Sequence, residues 1–172
     1  MRTVLSKQDI LNLIHQKPPL IENYVKLEDQ LQPNGFDLTL KSVAALQSAG
    51  LIGVSNAQRI ISSLSPLEYD GEDFLDLAPG PYAITFNEVV NLPKNMMALG
   101  APRSSLLRCG VTVENAIWDA GYCGRSQALM VVYNPLGFRV QRNSRIDQLV
   151  FIELADETEG YNGAYQGENI IR

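Results

Sequence analysis

Two arginines and two serines stand close together in residues 101–110, a stretch rich in hydrogen-bond donors. Arg103 and Arg108 flank Ser104 and Ser105, just after a short run typical of a strand. A triphosphate needs several donors in a small space, and guanidinium groups supply paired donors in a fixed geometry. The stretch therefore indicates a phosphate site, although the same residues also fit a surface turn whose arginines pair with acids.

A second candidate is Asp119, which follows the apolar residues 116–118. This apolar approach predicts a poorly solvated carboxylate that can hold and polarise a water molecule as a general base. Tyr122, three residues later, can stack against a sugar or a base. The alternative is an ordinary hairpin turn, because Asp-Ala-Gly-Tyr is a common way to join two strands.

The elements that must position these residues are mostly short strands. Residues 6–16 predict the one clear helix, capped by Ser6 with Asp9 and ended by Lys17-Pro18-Pro19. Downstream, 13 Gly and 9 Pro separate short runs rich in Val, Ile, Leu and Tyr, a pattern typical of a β-barrel or β-sandwich. These runs are residues 36–40, 82–86, 96–100, 110–113, 128–133, 138–141 and 148–154. We therefore predict an all-β fold with a short N-terminal helix.

Two segments do not fit this pattern clearly. Residues 42–65 are ambiguous between a helix in their first half and a strand at 59–64. The polar, Gly-rich tail, residues 156–172, is either a frayed end or a flap that orders over something else. Without an internal repeat or a boundary, the chain of 172 residues is predicted as a single domain: a helix at about 6–16, a barrel at about 32–155 and the tail.

Composition excludes several classes of function. The net charge of -5, from 14 Lys+Arg against 19 Asp+Glu, lacks the basic field of a nucleic-acid-binding protein. No apolar run is long enough to span a membrane, and the N-terminus has no signal-peptide core. We therefore expect a cytoplasmic protein with no nucleic-acid or membrane partner. Two cysteines and one histidine cannot complete a closed zinc site of four ligands.

Five motifs, taken together, resemble those of the dUTPase and dCTP deaminase superfamily. In order they are residues 32–38 (Gln-Pro-Asn-Gly-Phe-Asp-Leu), 102–106 (Pro-Arg-Ser-Ser-Leu), 118–124 (Trp-Asp-Ala-Gly-Tyr-Cys-Gly), 145–151 (Arg-Ile-Asp-Gln-Leu-Val-Phe) and 161–167 (Tyr-Asn-Gly-Ala-Tyr-Gln-Gly). Each motif alone is common, but five in the family's order make the resemblance specific. It implies a distorted β-barrel of the jelly-roll type, assembled as a homotrimer whose sites are shared between subunits.

The superfamily contains two chemistries, and one position separates them. The resemblance implies that the deaminases of the superfamily use a catalytic glutamate three residues before an Asn, in a run like Leu-Glu-Phe-Tyr-Asn. Here the run is residues 130–134, Met-Val-Val-Tyr-Asn, so Val131 takes the place of the glutamate, and residues 124–135 contain no acid. A valine cannot transfer a proton, and Glu114 is the nearby acid that could replace it. Because Asp119 is present, the sequence favours a dUTPase.

The resemblance implies that dUTP is hydrolysed to dUMP and pyrophosphate by a water that Asp119 aligns with the α-phosphate. Mg²⁺ is the expected cofactor, reached by Asp37 through water, with no direct protein ligand. Tyr122 is implied to pack on the deoxyribose, and backbone groups of the hairpin around residues 115, 116 and 127 to read the base. The implied substrate contacts are Arg103, Ser104, Ser105, Arg108, Asn115, Tyr122, Gln127, Gln148, Tyr161, Tyr165 and Gln166.

The tail departs from both branches of the superfamily. The family pattern places a Gly-rich motif with Arg and Phe at the end of typical trimeric dUTPases, whereas the tail of this chain resembles that of the deaminases. Ala164 replaces the lysine of that tail and Glu168 its last glutamine, so a cation is lost and an acid gained. The alternatives to a dUTPase are therefore a dCTP deaminase, a bifunctional enzyme, or a non-catalytic trimer that binds deoxynucleotides.

Overall fold

The computed structural model describes residues 4–170, in which short strands predominate and helices are few. The helices are α1 (Lys7–Ile14), α2 (Leu27–Gln30) and α3 (Ser104–Arg108), with a 3-10 turn at Asn56–Gln58. The strands are β1 (Ile21–Glu22), β2 (Leu31–Gln32), β3 (Gly35–Leu46), β4 (Leu64–Pro66), β5 (Phe74–Leu77), β6 (Gly80–Phe86), β7 (Val89–Asn91), β8 (Met96–Pro102), β9 (Val111–Glu114), β10 (Cys123–Gly124), β11 (Gln127–Val132), β12 (Phe138–Gln141) and β13 (Arg145–Glu153). The predicted all-β fold is confirmed.

One large antiparallel sheet forms the body of the protein. Its strand order is β8-β13-β3-β6-β11-β9, with β2 and β4 also paired to β3. The short helix α3 connects β8 and β9, which are the two end strands of this order. Beyond β9 the chain returns to β8, where Ala98 and Trp118 exchange two backbone hydrogen bonds, N–O 2.9 and 3.1 Å. The sheet therefore curls into a nearly closed barrel.

The barrel interior is largely apolar. Phe36, Phe86 and Phe151 are fully buried there. α1 adds Ile10 and Ile14 from its apolar face, and the predicted capping box between Ser6 and Asp9 is present. Two small sheets, β1-β7-β10 and β12-β5, complete the strand pairing of the described residues. Within residues 4–170, no helix is long and apolar enough to cross a membrane.

The ambiguous segment, residues 42–65, is resolved by its pairing. Its first half is not a helix, because β3 continues to Leu46 and pairs with both β4 and β6. Val43 is buried opposite Ile84, and this cross-strand packing outweighs the helical propensity of the neighbouring alanines. The predicted strand at 59–64 is also largely wrong, since β4 begins only at Leu64. The intervening residues form an arm with exposed apolar side chains, among them Ile52 and Val54.

Candidate functional site

A pocket of about 480 Å³ lies where the turn after β9, strand β11 and the C-terminal tail meet. Its apolar lining is Ile61, Ala83, Ala116, Ile117, Trp118, Ala128 and Leu129. Its polar lining is Glu114, Asp119, Tyr122, Ser126, Gln127, Tyr161, Tyr165 and Glu168. A mostly apolar cleft with a few convergent polar groups is typical of a small-molecule site. The structure thus brings five of the predicted residues together: Asp119, Tyr122, Gln127, Tyr161 and Tyr165.

Asp119 lies at the rim of this pocket. The side chain is exposed in this chain, which differs from the poorly solvated position that the sequence predicted. The reason is that Trp118 alone turns into the core, where its Nε1 donates to Ser126 Oγ at 2.7 Å. Asp119 then begins a turn, which is closed by a hydrogen bond of 3.0 Å from the backbone N–H of Tyr122 to the carbonyl oxygen of Asp119. Gly121, within that turn, adopts φ 81°. The exposed carboxylate is free to hold a water molecule.

Tyr122 is fixed from two sides. Its hydroxyl donates to Glu168 Oε1 at 2.8 Å, and its ring packs edge to face on Tyr161 with centroids 5.8 Å apart. Burial raises the pKa of the Tyr122 hydroxyl and that of the Glu168 carboxyl. The tyrosine therefore stays protonated and keeps donating. Its ring forms a rigid wall of the pocket, with only 5% of the residue exposed.

The C-terminal tail lies over the loop that carries Asp119 and Tyr122. Tyr161 N donates to Ala120 O at 2.7 Å, and Gly167 N donates to Cys123 O at 2.7 Å. Gln166 bonds the loop with both ends of its amide, since Oε1 accepts from Cys123 N and Nε2 donates to Gly121 O, each at 2.9 Å. The described part of the tail, residues 156–170, is thus an ordered flap and not a frayed end.

The predicted phosphate-binding residues lie together on and beside α3. Arg103 stands at the N-cap, and Ser104, Ser105 and Arg108 project from the helix into solvent. Gln148 is half-buried on β13, opposite Ala101 at the end of β8 that leads into α3. The sequence predicted donors in this stretch but not the helix, because a helix of five residues carries too weak a periodicity to read. The arrangement presents several donors on one exposed surface.

Asp37 lies buried behind this surface. Its Oδ2 accepts from Arg103 Nε at 3.1 Å and from Arg145 Nη1 at 3.4 Å, whereas its Oδ1 is buried and has no partner among the described residues. Burial raises the pKa of Asp37, and the two arginines oppose that rise. The unpartnered Oδ1 can accept a hydrogen from a water molecule bound to a metal ion, so Asp37 fits the role expected for hydrated Mg²⁺. Residues 4–170 contain no cluster of three or more His, Cys, Asp or Glu that could bind a metal directly.

The pocket and the α3 surface remain separate within one chain. None of the α3 residues lines the pocket. Asn115 also turns its side chain away from the pocket, and its Nδ2 donates to Asp147 Oδ2 at 3.1 Å. The residues predicted for the nucleoside and those predicted for the phosphates therefore lie in two separate places within one chain.

Two residues of this region were missed as functional candidates. The sequence did mark Glu168 as unusual, since it stands where the deaminase-like tail has a glutamine. Only the fold, however, places it in the pocket beside Tyr122. Asp147 had no signal, because a carboxylate between Ile146 and Gln148 looks like any polar residue of an alternating strand. In the structure Asp147 is fully buried, and burial raises its pKa to about 7.

Comparison with known proteins identifies the relatives of this chain. Residues 4–154 match the family model described as dCTP deaminase-like. The probable deoxyuridine 5'-triphosphate nucleotidohydrolase of Methanosarcina acetivorans is 48% identical over 168 residues, which cover 97% of this chain and 98% of that protein. The protein of the same name from Archaeoglobus fulgidus is 49% identical over 167 residues, 97% of this chain and 98% of that protein. The resemblance seen in the five motifs is thereby confirmed.

A solved structure supports the fold assignment. The crystal structure of 2'-deoxycytidine 5'-triphosphate deaminase from Agrobacterium tumefaciens superposes with a TM-score of 0.68 at 25% identity. The match covers 88% of this chain and 48% of that one, so this chain spans about half the length of the deaminase chain. The barrel with its few helices is therefore shared with a protein of the same superfamily.

Proposed function

The chain belongs to the dCTP deaminase-like family, and within it we propose that this protein hydrolyses dUTP to dUMP and pyrophosphate. The proposal rests on which acidic residues line the pocket and which one is missing. Asp119 lies at its rim, whereas β11, the strand on which a deaminase would carry its glutamate, has Val131 there and contributes no acid. Archaeal relatives that match nearly the whole chain are named for dUTP hydrolysis.

In the proposed reaction, Asp119 orients a water molecule for attack on the α-phosphorus, and the pyrophosphate leaves. The nucleoside lies in the pocket against the rigid ring of Tyr122, which leaves no room for a 2′-hydroxyl. Backbone groups of residues 115 and 116 and of Gln127 match the donors and acceptors of uracil and mismatch those of cytosine. Mismatched buried polar groups cost about 1–3 kcal/mol each, enough to discriminate between the bases.

The triphosphate lies on the donors of the α3 surface, mainly Arg103, Ser104, Ser105 and Gln148. Mg²⁺, when bound with the nucleotide, supplies neutralisation of phosphate charge, which an acidic protein cannot supply alone. Asp37, with its unpartnered Oδ1, would help to hold the hydrated ion. Positioning and charge neutralisation then account for most of the rate acceleration.

We further propose that the protein acts as a homotrimer in which the α3 surface of one subunit faces the pocket of its neighbour. The separation of the pocket and the α3 surface within one chain supports this, because neither is a complete site by itself. Coexpression of two inactive variants tests it. Arg103→Ala and Asp119→Asn subunits in equal amounts form roughly one intact site in four if each site uses both chains. If each site uses one chain, the mixture stays inactive.

The bifunctional alternative is favoured by one observation, which is that Glu114 also lines the pocket. A product assay distinguishes the alternatives: purified protein with Mg²⁺ is incubated separately with dUTP and dCTP, and the nucleotides are separated by chromatography. We expect dUMP and pyrophosphate from dUTP and no change in dCTP. Ammonia released from dCTP, and lost in Glu114→Gln, would identify a deaminase. No change in either substrate would leave a non-catalytic binder.

A further inference from the structure

A fully buried acid that the proposed mechanism does not use lies beside the base-reading hairpin. Asp147 on β13 is 0% exposed, and its Oδ2 accepts the hydrogen bond from Asn115 Nδ2 at 3.1 Å. The two side chains meet over Gly100 of β8, the strand between β13 and residues 115–118. A Cβ on Gly100 would lie 2.6 Å from Asp147 Oδ2 and 2.8 Å from Asn115 Nδ2. The absence of a side chain at Gly100 is therefore what allows the contact.

The contact leaves one oxygen of each group without a partner. Asp147 Oδ1 and Asn115 Oδ1 are both buried and have no hydrogen-bond partner within residues 4–170. Each oxygen shares its carbon with an atom of the 3.1 Å hydrogen bond, so both belong to the same contact. Two buried acceptors without a donor are costly, whereas one proton on the carboxyl satisfies both. The acid and the amide then form a two-point pair, N–H···O in one direction and O–H···O in the other.

The charges around Asp147 favour the protonated form. In the β3–β13 register, Asp37 lies opposite Gln148 and Asp147 lies opposite Leu38, so the two carboxyl groups point to opposite faces of the sheet. Arg103 and Arg145 pair with Asp37 and not with Asp147. Burial is the main cause that raises the pKa of Asp147 to about 7, and the negative charge of Asp37 adds to the rise. The hydrogen bond from Asn115 and an interaction with the backbone N–H of Gln148 oppose the rise.

We propose that Asp147 is held protonated and pairs with Asn115 as acid with amide, fastening the base-reading hairpin to the strand that carries Gln148. Asp147 is thus a positioning residue that joins the base side and the phosphate side of the chain. The role of the hairpin in reading a base rests on the proposed function, whereas the pairing itself does not. The two parts can therefore be tested separately.

Stability against pH tests the pairing without any nucleotide. Asp147→Asn is the matched control, because an amide at 147 can make the same two hydrogen bonds and does not titrate. A raised pKa means that the native state holds a proton that the unfolded chain releases. The folding constant of the wild type relative to D147N therefore falls about tenfold per pH unit between about pH 4 and 7, then levels off.

The measurement is urea unfolding of both proteins from pH 5 to pH 9 at one protein concentration. Other titrating groups are common to both and cancel in the ratio. A ratio that is constant or rises with pH would overturn the proposal, because Asp147 would then be ionised in the native state. Failure of D147N to fold at any pH would overturn it equally.

Exchange of the two side chains tests the positioning role. Asn115→Asp alone places two acids in contact, whereas N115D/D147N restores one acid and one amide with their places reversed. We expect the KM for dUTP to rise about tenfold in Asp147→Ala with little change in kcat, to rise much less in D147N, and to recover in the exchanged double variant relative to N115D. No recovery of either KM or stability in the double variant contradicts the pairing. An inactive wild type would refute the proposed function and leave the stability result intact.

Discussion

Gly100→Ala on β8 should destabilise the protein, because the added methyl group has no room. The added Cβ would lie 2.6 Å from Asp147 Oδ2, 2.8 Å from Asn115 Nδ2 and 2.9 Å from Trp118 Cζ3. Asp147 and Trp118 are buried and cannot move into solvent. Overpacking of this kind costs about 1–3 kcal/mol, and at about 2–4 °C per kcal/mol the Tm should fall by roughly 2–12 °C.

Thermal unfolding at one protein concentration measures this, with Gly71→Ala as the matched control. A Cβ on Gly71 meets nothing within 4 Å and φ there is not positive, so that variant should be neutral or more stable by about 0.4–1 kcal/mol. In an Asp147→Ala background one of the three close contacts is gone, so Gly100→Ala should cost less than in the wild type. If the Tm of G100A lay within about 1 °C of the Tm of G71A, the close approach of β8 to the Asn115–Asp147 pair would be refuted.

Three further outcomes follow from the site and the core. Asp119→Asn should keep its Tm, because the side chain is exposed, and should lose turnover by at least about 10²-fold while still binding dUTP in equilibrium dialysis. Tyr122→Ala should narrow the preference for dUTP over UTP in kcat/KM, and an unchanged ratio would mean that the sugar is recognised elsewhere. Glu88→Gln should lower the free energy of unfolding by about 1–3 kcal/mol in urea titrations. Gln30 Nε2 and the O–H of Thr39 donate to Glu88 Oε1 and the N–H of Thr39 donates to Oε2, so an amide with its single oxygen would leave at least one buried donor facing NH₂. Unchanged stability would show that the carboxylate is not needed.

Much of the fold could be predicted because local sequence signals agreed with the tertiary structure. All seven predicted strand runs start within three residues of a strand in the structure, since Gly and Pro separate them and Val, Ile and Tyr fill them. The segment that could not be predicted, residues 42–65, pairs over long distances. β3 continues through the Ala-rich residues 42–46 because β4 and β6 pair with it there, and no local pattern records that pairing.

The candidate site divides in the same way. Residue types indicated the donors of residues 103–108 and the acid and tyrosine at 119 and 122 as candidates, and the resemblance to the family singled them out and pointed to the missing glutamate at Val131. These inferences depend on what a side chain can do chemically. Membership of the family followed from the same motifs.

Only the tertiary structure decided which of these residues share a pocket. It placed the pocket and the α3 surface apart, laid the tail over the Asp119 loop, and exposed Asp119. It also buried Asp147 against Asn115, across a strand that happens to have glycine at position 100. Burial and contact between distant parts of the chain set solvation and pKa values, and a linear sequence does not contain those distances.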